Sequence, residues 1–109
     1  MIKIDIKPLS VNECWQGKRF KTPKYTKYQN DVLLLLPNIT IPEKPFKISL
    51  EYGFSNKCSD IDNGVKPLLD ILVKKYGFDD RDIYEIDIKK VIVKKGYEYV
   101  KFDLKTVIC

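Results

Sequence analysis

The sequence contains no histidine. Catalysis by Ser/His/Asp or Cys/His groups is therefore excluded, and so is any metal held by imidazole. Cysteine is scarce and badly placed for pairing: Cys14, Cys58 and Cys109 are odd in number and far apart. Such a set argues against a disulfide framework, and without a CxxC pair there is no zinc signature. Long apolar runs are missing too. The longest, Val32 to Leu36, is far too short to span a bilayer. Lys3, Asp5 and Lys7 interrupt the opening apolar residues, so no secretory signal pattern is visible and a cytoplasmic protein with no membrane partner is expected. A chain of 109 residues has material for one core, which predicts a single domain over 1–109. Any chemistry must run on carboxylates, lysines, hydroxyls or a hard cation.

Charge is plentiful and unevenly placed. Residues 1–50 carry nine Lys/Arg against four Asp/Glu, and residues 51–109 carry eleven of each. Five basic residues and no acid fall between Lys18 and Lys27, whereas within 60–87 eight acids face four bases. A basic segment beside an acidic cluster suits a protein that grips a polyanion while holding a cation. On charge counts alone a solvated surface is the better reading.

Ile2, Ile4 and Ile6 alternate with polar residues, predicting a half-buried strand that Pro8 ends. Residues 9–21 are polar and irregular and read as a loop. Thr22-Pro23 has the form of an N-cap and first helical position. Tyr25, Tyr28, Val32, Leu35 and Leu36 then share one helical face until Pro37. Phe46, Ile48, Leu50, Tyr52 and Phe54 alternate as a second strand. A second helix starts near Asp62 or Asn63, buries Val65, Leu69, Leu72 and Tyr76, and stops at Gly77. Residues 83–93 read as a strand with a bulge near Lys89 and Lys90. Lys95-Gly96 is expected to turn a hairpin into a last strand through Val100, Phe102 and Leu104. The order β-α-β-α-β-β predicts an α+β domain with two helices packed on a mixed sheet.

The segment able to carry chemistry is Ser59-Asp60-Ile61-Asp62-Asn63-Gly64-Val65-Lys66, followed by Asp79-Asp80. Asp60 and Asp62, two apart in an extended stretch, point the same way. Asp80 joins them if the third strand begins beside the Asp60 loop. Three close carboxylates repel one another unless a divalent cation neutralises them, and Mg²⁺ prefers such an oxygen environment, with Mn²⁺ as a substitute. Lys66, one helical turn from Asp62, could stabilise charge developing on a phosphate. Asn63 could cap the helix or orient a water, and Asp70 is the helical partner of Lys66. Each piece also has a plainer meaning. DxDN is often only a capping turn, Lys66–Asp70 only a surface pair, and Asp79-Asp80 only a turn.

Taken in order, these pieces resemble the RusA family of Holliday junction resolvases. The resemblance lies in the run DIDNGVKPLLDIL, Gly77, the Asp79-Asp80 pair, Ile83, and a hairpin tipped by Lys95-Gly96. Upstream it covers Lys7-Pro8-Leu9-Ser10-Val11-Asn12 and the loop of Trp15, Lys18, Arg19 and Thr22, and so nearly the whole chain. It implies a homodimeric, magnesium-dependent endonuclease that resolves four-way DNA junctions by paired symmetric nicks in DNA recombination and repair. A phage or prophage origin is implied as well. The family's metal-binding aspartates fall on Asp60, Asp62 and Asp80, its essential lysine on Lys66. Asp79, Asp70 and Asn63 take supporting places. Where relatives often carry a basic residue before the first aspartate this chain has Ser59, so Lys57 is expected to supply that charge. The remaining DNA contacts are expected from Asn12, Trp15, Lys18, Arg19, Lys21, Lys24 and Lys27, through phosphates and, at Trp15 and Phe20, through stacking. Tyr25 and Tyr28 face the helix core as readily as DNA, and for Tyr28 the core is the reading adopted. The alternative function is a structure-specific DNA-binding module without nuclease activity.

Overall fold

The computed structural model describes residues 1–9, 15–16, 20–58, 60–62 and 64–107, with nothing said of the side chains of Trp15, Gln16 and Phe20. Its strands are β1 (Ile2–Ile4), β2 (Trp15–Gln16), β3 (Phe20–Lys21), β4 (Phe46–Phe54), β5 (Ile83–Ile92) and β6 (Tyr99–Thr106). The helices are α1 (Pro23–Leu35), between β3 and β4, and α2 (Val65–Tyr76), between β4 and β5. The main sheet runs β1-β6-β4-β5, with β5 parallel to β4 and the other pairs antiparallel. This is the expected α+β domain, two helices on a mixed four-stranded sheet. The loop expected over 9–21 contains one addition, a small antiparallel pairing of β2 with β3.

α1 begins as its sequence dictates. The Thr22 hydroxyl accepts from the Tyr25 N–H at 3.1 Å, and Pro23 occupies the first turn where its missing donor costs nothing. Tyr25, Tyr28, Val32 and Leu36 are buried, but Leu35 is 53% exposed, one position off the face assigned to it. β4 is the centre of the sheet. Ile48, Leu50 and Tyr52 are at most 1% exposed because both neighbouring strands and the helices enclose them.

α2 departs from expectation at its start and in its phase. Gly64 is the N-cap and makes no side-chain cap bond, so Asp62 is not the cap residue, and Asn63 lies outside the described residues. Its buried stripe is Pro67, Leu68, Ile71 and Leu72, with Val65, Leu69 and Tyr76 only partly covered. The start is set by packing. A Cβ on Gly64 would lie 3.1 Å from the Tyr52 ring, so the helix backbone rests almost directly on that tyrosine. Gly77 ends α2 in the left-handed conformation (φ 72°), as its position implied.

The expected hairpin around Lys95-Gly96 is not formed. β5 and β6 lie on opposite sides of β4, so the turn there, with Gly96 at φ 95° and the Tyr97 N–H donating to the Lys94 carbonyl, carries the chain across β4. Alternation in two successive segments cannot tell neighbours from strands that sandwich a third. The irregularity in β5 also lies elsewhere. Pairing shifts between Phe46 and Lys47, opposite Tyr84, and not near Lys89. No helix among the described residues is long and apolar enough to cross a membrane.

Candidate active site and nucleic-acid interface

The parallel β4-α2-β5 unit decides where the acidic residues go. Phe46 pairs with Ile83 and Phe54 with Ile92, so β5 begins beside the start of β4. The Asp60–Asp62 turn follows the far end of β4. The condition for Asp80 to join Asp60 and Asp62 therefore does not hold in the simple form expected. The two acidic turns leave opposite ends of the strand pair, with the 12 residues of α2, about 18 Å of helix, running between them. Among the described residues no three His, Cys, Asp or Glu side chains are grouped to hold an ion.

Lys66 is the second residue of α2. Its side chain runs along α2 away from the Asp60–Asp62 turn, donating to Asp70 at 2.8 Å. That hydrogen bond is the main reason its ammonium titrates above the ordinary lysine value. The charges of Asp70 and Asp80 add to the effect, and partial burial opposes it. Asp80 therefore acts on Lys66 from the turn that follows α2. That turn is fixed locally: Asp79 accepts from the Arg81 backbone at 3.0 Å and from its guanidinium at 2.8 and 3.0 Å, capping the short 3-10 turn Asp80–Asp82. The Arg81 hydrogen bonds hold the Asp79 carboxyl down to about 2. Asp79 is committed to Arg81, and of the pair it is Asp80 whose charge acts on Lys66.

The Asp60–Asp62 turn is exposed and held mainly from its N-terminal side. The Cys58 N–H donates to the Asn56 side chain at 2.8 Å, and Lys90 on β5 donates to the Lys57 carbonyl at 2.9 Å. At the other end the Val65 N–H donates to the Asp62 carbonyl. Ser59 and Asn63, assigned roles from sequence, lie outside the described residues.

The expected basic surface is formed in part. Lys21 donates to Gln29 at 3.0 Å and its ammonium stands 5.2 Å from the centre of the Tyr25 ring. Lys24 and Lys27 are exposed on α1, Lys27 pairing with Asp31 at 2.8 Å, and Lys57 is exposed beside the acidic turn. Asn12, Lys18 and Arg19 lie outside the described residues, as do the side chains of Trp15 and Phe20. Tyr25 and Tyr28 are core residues, 4% and 5% exposed. Folding adds one lysine that sequence reasoning missed. Lys7, after β1, joins Lys24 and Lys27 around a cleft of about 270 Å³ with Leu9 and Tyr28 among its apolar walls. The signal was a lysine next to Pro8, but nothing local told which helix it would face.

Compared with protein-family models the chain finds no match, and no curated protein matches it significantly.

Proposed function

We propose that this chain is a magnesium-dependent DNA endonuclease of the junction-resolving type, working in the cytoplasm on four-way junctions. The observation that carries the reading is the position of Lys66. It is the second residue of α2, four positions after Asp62, and the charge of Asp80 acts on it, which ties it to both acidic elements that the motif resemblance singles out. The cleft lined by Lys7, Lys24 and Lys27, with Asp31 paired to Lys27, keeps a net positive charge that supports contact with phosphates.

Mg²⁺ does not require a three-carboxylate cage. It keeps several waters and is commonly held by one or two carboxylates with substrate phosphates completing the site. Asp60 and Asp62, from one exposed turn, and Asp80 are the residues proposed to recruit it. When bound, the ion supplies activation of water for phosphodiester hydrolysis. Lys66 is proposed to offset negative charge on the phosphate.

The lysines around the cleft serve equally a second reading, a junction-binding module that does not cut. A synthetic four-way junction, incubated with the protein with and without Mg²⁺ beside a linear duplex, separates the two. Symmetric nicking of the junction only with Mg²⁺, lost in Asp80→Asn while binding is kept or tightened, is the expected result. Shifted but uncut DNA establishes the module. Full cleavage by Asp80→Asn refutes the site assignment. Affinity that does not fall between about 50 and 200 mM salt removes DNA from both readings, since phosphate-driven binding weakens steeply there.

A further inference from the structure

We propose that the cleft between the chain leaving β1 and the turn that crosses β4 is a subsite for one nucleotide that has left the base stack, its base against Tyr97 and its phosphate on Lys7. The cleft, of about 450 Å³, is lined by Lys3, Asp5 and Lys7 from one side and by Gly96, Tyr97 and Glu98 from the other. That volume falls within the range of small-ligand sites, roughly 300–1,000 Å³. Strand register puts the cleft at the end of the sheet from which the Asp60–Asp62 turn leaves. Ile4 pairs with Val100 and Gly53 with Tyr99, so β1 ends and β6 begins where β4 ends. The Val93 N–H donates to the Phe54 carbonyl at 2.8 Å, and the Ser55 hydroxyl donates to Glu98 at 2.9 Å. The crossing turn is thus tied to the chain that leads into the acidic residues.

The lining fits a nucleotide better than a bare run of phosphates. Tyr97 is 72% exposed, on a turn that is held in place. Its N–H donates to the Lys94 carbonyl at 3.0 Å, and Glu98 accepts from the Gly96 N–H at 2.7 Å. An aromatic ring presented in this way is a stacking platform, because every base has a π-face. Lys3 lies 3.7 Å from Asp5, with its ammonium 4.9 Å from the centre of the Tyr99 ring. Lys7 is exposed and makes no ion pair among the described residues, which leaves it as the cation open to a phosphate. It also lines the cleft of Lys24 and Lys27, so a strand continuing from the subsite meets further lysines. Asp5 and Glu98 repel phosphates, but a base presents N–H donors that a carboxylate accepts. A paired duplex keeps its bases stacked, whereas an unpaired base is the cheapest to displace. The subsite therefore favours a branch point over a linear duplex.

The subsite rests on the junction-binding reading, and the test separates the two. Binding is measured without Mg²⁺, so that cutting plays no part. Three DNAs are compared: a four-way junction, the same junction with abasic sites at its branch-point nucleotides, and a linear duplex. Wild type is expected to bind the intact junction more tightly than the other two. Tyr97→Ala is expected to bind the intact junction about tenfold more weakly and the other two as wild type does, while Tyr97→Phe keeps the ring and the affinity. Lys7→Gln is expected to weaken intact and abasic junctions alike and to reduce the salt slope by about one. Both positions are exposed, and circular dichroism checks that each variant folds. A wild type that binds no junction, or binds it no better than duplex, overturns the functional reading and the subsite with it. A wild type that prefers the junction, beside a Tyr97→Ala whose loss is absent or equal on intact and abasic DNA, overturns the subsite alone. An unchanged salt slope in Lys7→Gln overturns the phosphate contact.

Discussion

Replacing Tyr52 with phenylalanine is expected to stabilise the protein. Tyr52 is 0% exposed at the centre of β4, and its hydroxyl has no hydrogen-bond partner among the described residues. The ring contributes packing: Gly64 rests against it and Phe54 lies 5.8 Å away, centre to centre. Phenylalanine keeps those contacts and deletes only the desolvated oxygen. A buried polar group without a partner costs about 1–3 kcal/mol, against which the vacated volume sets a smaller loss. A net gain of about 1 kcal/mol is expected, or roughly 4 °C in Tm for a domain of this size. Burial also raises the Tyr52 pKa well above the ordinary tyrosine value, with a smaller contribution from Tyr28. A group whose folded pKa is raised stabilises the fold fully below its unfolded pKa, near 10, and loses that stability as pH rises beyond it. Wild type should therefore lose an additional amount approaching 1.4 kcal/mol per pH unit above about pH 10, which Tyr52→Phe is spared. Urea unfolding at neutral pH and near pH 11, with Tm by calorimetry, reads both effects. A variant less stable than wild type, with no widening of the gap in alkali, shows that the hydroxyl is partnered in solution and refutes the reasoning.

Gly53→Ala is expected to destabilise by about 1–3 kcal/mol, because a Cβ there would come within 2.5 Å of the Tyr99 ring. The displaced ring should also lose its 2.6 Å hydrogen bond to Glu51, visible as the Tyr99 phenol falling from about 12 in an ultraviolet titration. Arg81→Ala is expected to return the Asp79 carboxyl from about 2 to the ordinary range, followed by carboxyl NMR. Because that pKa is lowered on folding, the Asp79–Arg81 contribution is present above the unfolded value and disappears as acid approaches pH 2. Any such contribution should be missing from the acid unfolding of the variant. Asp70→Asn is expected to lower the Lys66 pKa more than Asp80→Asn does, since the hydrogen bond outweighs the more distant charge. Lysine NMR reads both, and an unchanged Lys66 in Asp80→Asn would separate the lysine from the post-helix turn.

Much of the local structure was legible from residue types. Thr22-Pro23 and Gly77 marked helix ends because capping and left-handed geometry depend on one or two residues. The alternation from Phe46 to Phe54 marked the central strand because both faces of β4 answer to period two. Phase was less legible. Leu35 and Leu69 fit an apolar stripe as well as their neighbours do, and which leucine is buried depends on where the other layer lies. Lys66–Asp70 could be read at i, i+4 and is present. The basic cleft could not be foreseen in full, since Lys7 meets Lys24 and Lys27 only across two elements.

The sequence by itself determined that imidazole chemistry is absent, that carboxylates and one lysine sit at a helix start, and where most elements begin and end. These depend on residue identity and short spacing. Only the tertiary structure decided that β6 crosses β4 to pair on its far side, and that β5 lies parallel to β4. Strand partners are chosen by contacts between residues far apart in the chain, which no local pattern encodes. That choice sets the Asp60–Asp62 turn and Asp80 at opposite ends of a parallel pair, with α2 running between them.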